Sequence, residues 1–364
     1  MTQIDLLSET AKVADNLLRN ADLGPLCGIE AIAGGRNNRA YRIASPRGHW
    51  LFKQYFQDPS GGRDRCGSEW DWSTFCWQLG VRACPEPIAT DSLHRASLFE
   101  FITGRHLEQN QISANHVEQA ASYVAEVNRF RDHPAAMKIA QAAESCFSME
   151  EHLACVEQRI ERLEKLAVNE RLDAELQDWL QKSLRPVWNS LQENVRSTDV
   201  LHSLTEKLPQ SQRCLSPSDF GFHNALLERG GQLRFLDFEY AGWDDPAKLV
   251  CDFFWQPQFP VPRQWAKGLI SAFMTPDSEP QLIHRIHLLF PVYGIKWCCL
   301  ILNEFVVSDR QRREFAQAMS LENGRKFQQL ENAKQLLQAL TLNPFAGLVD
   351  EVQERPCHEA NQNQ

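Results

Sequence analysis

The first hundred residues alternate short apolar runs with glycine-containing turns, a pattern that predicts a small sheet with one helix. Strand-like patterns occupy three stretches, the first of which folds back at its own turn: residues 31–43, 50–55 and 97–102. Residues 63–79 instead have apolar side chains at helical spacing, and Gly80 ends this helix. Residues 1–20 have the pattern of a short amphipathic helix.

The chain changes character after residue 104. Residues 114–193 are charged and almost free of glycine, which favours helices. A short β-like interlude follows at 214–238, and helical patterns then resume as far as residue 342. We therefore expect an α+β fold with a small β-rich lobe, a larger and mostly helical lobe, and a flexible polar tail: residues 1–103, 104–343 and 344–364.

Composition and charge narrow the possible functions. Hydrophobic residues make up 43% of the 364-residue chain, enough for a large core. The net charge of −9 argues against nucleic-acid or anionic-membrane partners. The eleven cysteines include no CxxC pair, so we expect reduced core thiols in a cytoplasmic protein. No signal-peptide pattern is visible, and Lys296 makes the one membrane candidate, residues 287–307, better suited to a buried helix.

Two segments near the middle of the chain carry most of the candidate chemistry, residues 216–224 and 235–242. Gly230 and Gly231 lie between them, flanked by apolar runs, which predicts a two-residue hairpin loop. Counting outward from that loop places Asn224 opposite Asp237. Directly opposed residues have Cβ atoms about 4.5–5.5 Å apart. An amide oxygen and a carboxylate that converge in this way suit Mg²⁺, which takes one or two carboxylates plus substrate phosphates.

Asp219 lies five residues before Asn224, in the loop that leads into the hairpin. A carboxylate beside a metal–phosphate site can orient a substrate hydroxyl and accept its proton. Taken alone, an aspartate in a Pro-Ser-Asp sequence is equally consistent with a turn cap. Its spacing from Asn224 and Asp237 favours the catalytic role.

The N-terminal unit offers matching groups for a nucleotide. Gly34 and Gly35 lie at a strand–strand turn where backbone N–H groups can approach phosphates, although such a pair is also common in ordinary hairpins. Lys53 lies in an apolar strand, where an isolated lysine usually faces solvent. Glu69 lies on the apolar face of its helix, and a carboxylate there needs a partner. Lys53 is the natural partner, so we expect a buried ion pair that holds the ammonium group near phosphates.

These segments resemble the aminoglycoside phosphotransferase and choline kinase superfamily, distant relatives of the protein kinases. The resemblance is strongest at SDFGFHN and LDFEYAGWDDP, extends to GGRNNRAYRI and FKQY, and covers about residues 32–342. It implies a two-lobed protein-kinase-like fold, ATP and Mg²⁺ as cofactors, and a small-molecule acceptor such as a sugar, an amino-sugar or an amino-alcohol.

The resemblance also implies a role for each matching residue. Asp219 would be the catalytic base, and Asn224 and Asp237 would bind Mg²⁺. The nucleotide would contact the glycine turn, the buried lysine with its glutamate, and the backbone of the strand that joins the lobes: Gly34, Gly35, Lys53, Glu69, Glu100 and Ile102. Glu239 would lie near the metal site.

One departure from the superfamily pattern leaves alternatives open. Pro217 stands where the family usually has a histidine, two positions before the catalytic aspartate. This change keeps open a nucleotide-binding pseudokinase or regulatory module, beside transfer of AMP or transfer to a protein. We interpret His223 as local packing, and we assign Trp243, Trp255 and Trp297 to the core rather than to stacking on an acceptor.

Overall fold

The computed structural model describes residues 3–32, 38–56, 62–198, 204–273, 279–306 and 322–342. The glycine turn at Gly34 and Gly35 lies outside these ranges, and so does the expected tail at 344–364.

An antiparallel sheet of five strands forms the N-terminal part, in the order β1-β2-β3-β5-β4. Its strands are β1 (Gly28–Ala31), β2 (Asn38–Ser45), β3 (Gly48–Tyr55), β4 (Pro87–Asp91) and β5 (Ala96–Glu100). Helix α1 (Gln3–Asn20) packs on one face of this sheet, where Leu17 and Leu18 share a cluster with Ile43 and Phe52. The predicted N-terminal helix and the strands around residues 50 and 97 are confirmed, whereas β4 was not predicted.

Helix α2 (Arg65–Gln78) begins at Asp64, whose side chain accepts a hydrogen bond from Gly67 N–H at 3.0 Å. It ends at Leu79, just before Gly80, as its sequence predicts. Trp72 on its buried face stacks on Phe238 with ring centroids 5.9 Å apart. The helix therefore packs against the C-terminal part of the chain and links it to the sheet.

Helices dominate the C-terminal part. They are α3 (Ala114–Asn128), α4 (Met149–Glu164), α5 (Arg171–Trp179), α6 (Arg185–Thr198), α7 (Pro246–Trp255), α8 (Ala266–Ser271), α9 (Glu279–Ile301) and α10 (Glu322–Leu342). The Ser148 and Glu151 side chains each bind the other's backbone N–H and so start α4. Helix α9 is the membrane candidate, and 72% of its apolar window is buried inside the protein.

Two small sheets connect these helices to the centre of the molecule. One pairs β7 (Cys214–Ser216) with β10 (Gly242–Asp244), and the other pairs β6 (Arg105–His106), β8 (Ala225–Leu227) and β9 (Leu233–Phe235) in the order β6-β8-β9. A side chain at Gly242 has no room, since a Cβ there would lie 2.3 Å from the Ala140 carbonyl oxygen. The ten cysteines that the structure describes are free thiols, and eight of them are buried.

Candidate active site

A cleft of about 1920 Å³ lies where the five-stranded sheet faces the helical part. Lys53 from β3 and Glu69 from α2 line it on one side. Asp219, Asn224 and Asp237, which precede or follow β8 and β9, line it on the other. The cleft therefore brings together side chains that are far apart in the sequence, such as Lys53 and Asp237, which are separated by 184 residues.

The predicted ion pair between Lys53 and Glu69 is present. The Lys53 Nζ lies 2.6 Å from Glu69 Oε2, and both side chains are buried. The same Nζ lies 2.7 Å from Asp237 Oδ1, so one ammonium group joins the helix carboxylate to the C-terminal segment. Glu69 Oε2 also accepts a hydrogen bond from the Tyr55 hydroxyl at 2.7 Å. The lysine is thus held from both sides of the cleft.

Burial and charge act in opposite directions on this group. Burial lowers the pKa of Lys53, but the carboxylates of Asp237 and Glu69 outweigh it and raise the pKa above its usual value. The ammonium group is therefore charged at neutral pH. Burial raises the pKa of Glu69, and the attraction of Lys53 offsets only part of that rise.

The predicted register of the central hairpin is wrong by one residue. Ala225 pairs with Phe235 and Leu227 with Leu233, and Leu236 N–H donates to the Asn224 carbonyl at 2.8 Å. Asn224 therefore lies opposite Leu236 and not Asp237. The physical reason is Gly231, which takes a left-handed conformation with φ +83° and makes the loop three residues long instead of two.

Left-handed backbone also occurs at two residues of the site. Asp237 and Ser218 both have φ of 66°, a region that residues other than glycine seldom adopt. Asp237 lies two residues after the end of β9, and its side chain is 34% exposed, in the cleft. Asn224 lines the same cleft and donates from Nδ2 to the Asp219 carbonyl at 2.9 Å. The amide thus ties the loop of Asp219 to the start of the hairpin.

Asp219 contacts an imidazole. Its carboxylate is 39% exposed in the cleft, and Oδ1 lies 3.1 Å from His223 Nε2. Burial raises the pKa of Asp219, but His223, and more weakly Lys296 and Asn224, reverse the shift and hold this pKa below its usual value. The contact goes beyond the local packing that the sequence suggested for His223. A Cβ at Gly221 would lie 2.8 Å from His223 Nδ1, so glycine there leaves space for the ring.

Two further contacts join the N-terminal sheet to the segment that contains Asp237. The Asn38 amide donates to the Glu239 carboxylate, and both side chains are buried. The Arg63 guanidinium donates to the carbonyls of Gln141, Glu239 and Ala241 at 2.6, 3.1 and 2.6 Å. Neither contact was predicted. Asn38 is a polar residue at an inward position at the start of β2, and this pattern could have indicated a buried polar contact. Arg63 lies in a loop, where no sequence pattern indicates its contacts.

The two candidate adenine-binding residues also line the cleft. Glu100 N–H donates to the Glu86 carbonyl at 2.9 Å, so this N–H is already used within the sheet. The Glu100 side chain pairs with Arg234 at 2.6 Å. Ile102 is buried and lies in the segment that leaves the sheet. The nucleotide-binding role of both residues stays a prediction, as does the division of the chain at residue 103.

Comparison with known protein families shows to which family the chain belongs. The family described as "Phosphotransferase enzyme family" matches residues 28–274. This chain belongs to the phosphotransferase enzyme family. The match spans both the sheet with Lys53 and the loops with Asp219 and Asp237. No curated protein matches the sequence.

Solved structures of small-molecule kinases share the fold of this family member. Choline kinase from Cryptosporidium parvum has a TM-score of 0.53 at 13% identity, over 93% of this chain and 99% of its own. Choline kinase LicA from Streptococcus pneumoniae has a TM-score of 0.55 at 15% identity, over 90% and 98%. Spectinomycin phosphotransferase in complex with ADP and spectinomycin has a TM-score of 0.58 at 11% identity, over 91% and 98%. The α+β, kinase-like fold is therefore confirmed.

The donor set of this phosphotransferase suits a magnesium ion. Asp237 offers a carboxylate, and Asn224 keeps its Oδ1 for a ligand because its Nδ2 is the atom that donates to Asp219. Within the described ranges, no three His, Cys, Asp or Glu side chains converge as a metal-binding group. An ion held by Asn224 and Asp237 would therefore depend on nucleotide phosphates for further ligands.

Proposed function

We propose that this phosphotransferase is an ATP- and Mg²⁺-dependent kinase that moves the γ-phosphoryl group of ATP to a hydroxyl of a small molecule. The observation that carries the proposal is the position of Lys53, whose Nζ lies 2.6 Å from Glu69 and 2.7 Å from Asp237 in the cleft that Asp219 also lines. A phosphate-binding cation, a metal-binding carboxylate and a candidate base thus share one cleft.

Each residue has a defined task in this proposal. Lys53 contacts the α- and β-phosphates and is kept charged and in place by Glu69. Asn224 and Asp237 hold Mg²⁺, which when bound neutralises charge on the phosphates. Gly34 and Gly35 cover the phosphates, and the backbone at Glu100 and Ile102 binds adenine. The family membership and the nucleotide complexes among the similar structures support this use of ATP.

Asp219 orients the acceptor hydroxyl and takes its proton. Its lowered pKa keeps the carboxylate ionised at neutral pH, and its exposed fraction of 39% leaves it open to an acceptor. Most of the rate gain then comes from positioning and electrostatics. Sugars, amino-sugars and amino-alcohols are the acceptor classes, since the similar structures include choline kinases and a spectinomycin phosphotransferase.

Acceptor-dependent release of ADP tests the proposal. A panel of hydroxylated metabolites is incubated with MgATP, and the product is identified by mass spectrometry. We expect Asp219→Asn to lower kcat by about a thousandfold or more while the Kd for MgATP changes less than about twofold. Unchanged turnover in this variant refutes the role of Asp219. Tight MgATP binding without ADP release for any acceptor supports the pseudokinase instead, and an added nucleotide in the product supports AMP transfer.

A further inference from the structure

Two cysteine side chains meet beside the first turns of helix α4. Cys146 lies in the segment before the helix, and its Sγ lies 3.5 Å from the Glu151 carbonyl oxygen. In an α-helix this carbonyl accepts a hydrogen bond from the N–H four residues later, which is that of Cys155. Both side chains therefore lie beside the same helical turn, and their thiol groups are close enough for a hydrogen bond between them.

The two cysteines lie at the edge of the cleft. Arg159 follows Cys155 by four residues, so both are on one face of α4, and Arg159 lines the cleft. Arg159 forms an ion pair with Glu144, which also lines the cleft and lies two residues before Cys146. The Cys155 side chain is half-buried, whereas Cys146 is only 4% exposed. A small molecule from solvent therefore reaches Cys155 before it reaches Cys146.

The two thiol groups differ in acidity. The Cys146 thiol donates a hydrogen bond to the Cys155 sulfur, and this bond, more than any other effect, lowers the pKa of Cys155 to about 6 although burial opposes it. The same hydrogen bond raises the pKa of Cys146. Cys155 is therefore mostly a thiolate at neutral pH, and the thiolate is the form of cysteine that reacts with oxidants.

The groups around this thiolate come from α4, from the segment before it and from α9. Glu144 opposes the ionisation of Cys155, whereas Lys296 and Arg159 favour it. Tyr293 and Cys299 also lie near, but burial raises the pKa of both, so both are neutral at pH 7. Two cations against one carboxylate thus stabilise a negative charge on the sulfur.

A second pair of cysteines has the contact between thiols but not the reactive environment. The thiol groups of Cys76 and Cys84 also lie within hydrogen-bond distance of each other, and both side chains are fully buried. Burial raises the pKa of Cys76, and the contact with Cys84 raises it further. Cys76 is therefore a neutral thiol at pH 7 and is shielded from solvent. This pair is a control within the same chain.

We infer that Cys155 and Cys146 form a peroxide-sensitive dithiol site, which oxidises to an intramolecular disulfide. The Cys155 thiolate attacks one oxygen of hydrogen peroxide, the O–O bond breaks, and the hydroxide that leaves takes up a proton to become water. This step leaves a sulfenic acid on Cys155. The Cys146 sulfur then attacks the Cys155 sulfur, the S–O bond breaks, and the hydroxyl group leaves as water with the thiol proton of Cys146. The two sulfur atoms together lose two electrons, which reduce the peroxide.

Mass spectrometry on the full chain tests the inference. The reduced protein is freed of reductant, treated with one equivalent of hydrogen peroxide, and then denatured with N-ethylmaleimide, which blocks the remaining thiols. Glu150 and Glu151 lie between Cys146 and Cys155, so a glutamate-specific protease leaves the two joined only by a disulfide, and trypsin at Arg82 does the same for the control pair. We expect at least about tenfold more 146–155 disulfide than 76–84 disulfide, and reversal by dithiothreitol.

The pH dependence of the reaction distinguishes a thiolate from an ordinary thiol. Between pH 7 and pH 8 the ionised fraction of a thiol with a pKa of about 8.5 rises about eightfold, whereas Cys155 is already mostly ionised at pH 7. The initial rate at which peroxide removes the free Cys155 thiol should therefore rise less than about twofold over this range. A short peptide with one cysteine, oxidised under the same conditions, should show the eightfold rise.

Two serine variants assign the roles of the two cysteines. Cys146→Ser should leave a sulfenic acid on Cys155, which dimedone labels, whereas Cys155→Ser should leave Cys146 unlabelled. Dimedone labelling of Cys146 in the second variant would overturn the assignment. In the unmodified protein, absence of the 146–155 disulfide, equal oxidation of the two pairs or an eightfold rise with pH would overturn the inference, whether or not the variants fold. The kinase proposal is independent of these outcomes, because neither thiol takes part in it.

Discussion

Removing the ammonium group of Lys53 should lower both the stability and the kinase activity of the protein, and a second substitution at Glu69 should restore only the stability. Lys53→Met keeps the length of the side chain but removes the cation that pairs with Glu69. The Glu69 side chain is only 5% exposed and still accepts a hydrogen bond from the Tyr55 hydroxyl. Asp237 loses the same partner, but its side chain is 34% exposed and water can solvate it. The cost of the substitution therefore falls mainly on Glu69.

Breaking a buried ion pair on one side costs about 3–5 kcal/mol, and we expect a loss of that size at pH 7. The loss should depend on pH. Burial already raises the pKa of Glu69 in the folded protein, and without Lys53 nothing comparable opposes that rise. A carboxyl with a raised folded pKa favours the folded state below its unfolded pKa and loses that contribution as pH rises. Lys53→Met should therefore be more destabilising at pH 8 than at pH 5.

Adding Glu69→Gln supplies the decisive comparison. The double variant lacks both charges, so it should recover at least about 2 kcal/mol of the loss, as coupled buried pairs do. It should not recover kinase activity, because the phosphate-binding cation is absent. Urea unfolding at pH 5 and pH 8 measures the stabilities, and Lys165→Met serves as control because its exposed pair with Glu161 should cost less than about 1 kcal/mol. A double variant no more stable than Lys53→Met refutes the reasoning.

Three other substitutions probe the contacts that the sequence did not reveal. His223→Gln should lower kcat about tenfold with little change in the KM for ATP, because Asp219 loses the imidazole that lies 3.1 Å from it; steady-state kinetics with unchanged kcat would contradict this. Arg63→Ala should lower the free energy of unfolding by about 1–3 kcal/mol and raise the KM for ATP, because three carbonyls lose their donor. An unchanged KM for ATP would show that the Arg63 contacts do not affect the nucleotide site. Burial raises the pKa of Asp245, but Arg285 and His152 hold it below its usual value, so its contribution to stability exists above the unfolded carboxyl pKa and is lost as pH falls. Asp245→Asn should therefore cost about 3–5 kcal/mol at pH 7 and less at pH 3 in urea unfolding, and an equal cost at both pH values would refute this assignment.

The parts of the site that were predictable are those encoded by local patterns. The apolar face of α2 placed Glu69 inward, and a carboxylate on an inward face requires a cation, which led to Lys53. The structure confirms this pair at 2.6 Å. The argument succeeded because helical spacing and the cost of burying a charge act on any such helix, whatever the rest of the fold.

The register of the central hairpin shows where local sequence patterns no longer predict the structure. Two adjacent glycines predict a two-residue loop, but only Gly231 takes positive φ, and the loop has three residues. A shift of one residue exchanges the faces of a strand, so Asp237 would point away from Asn224 if the strand simply continued. The left-handed conformation of Asp237, with φ of 66°, changes the direction of the chain at this residue. No sequence pattern predicted this conformation.

Contacts that depend on the conformation of a loop were hard to predict. His223 reaches Asp219 in a loop that turns at Ser218, whose φ is 66°, and its position in the sequence alone suggested packing. Pro217 is buried where the family usually has a histidine. The imidazole beside the candidate base therefore comes from the other end of the same loop, and a motif that counts residues before the aspartate does not find it.

The two halves of the site are held together by charge rather than by a continuous chain segment. Lys53 joins the sheet to Asp237, Asn38 joins it to Glu239, and Arg63 binds the carbonyls on either side of that glutamate. Three side chains from the N-terminal sheet and its following loop thus converge on five residues of the C-terminal part, 237–241. Because each contact places the same short segment, the position of the candidate metal-binding aspartate depends on all three. The family motif in this segment consequently describes only half of the site, and the other half lies in polar residues of the sheet that bind it.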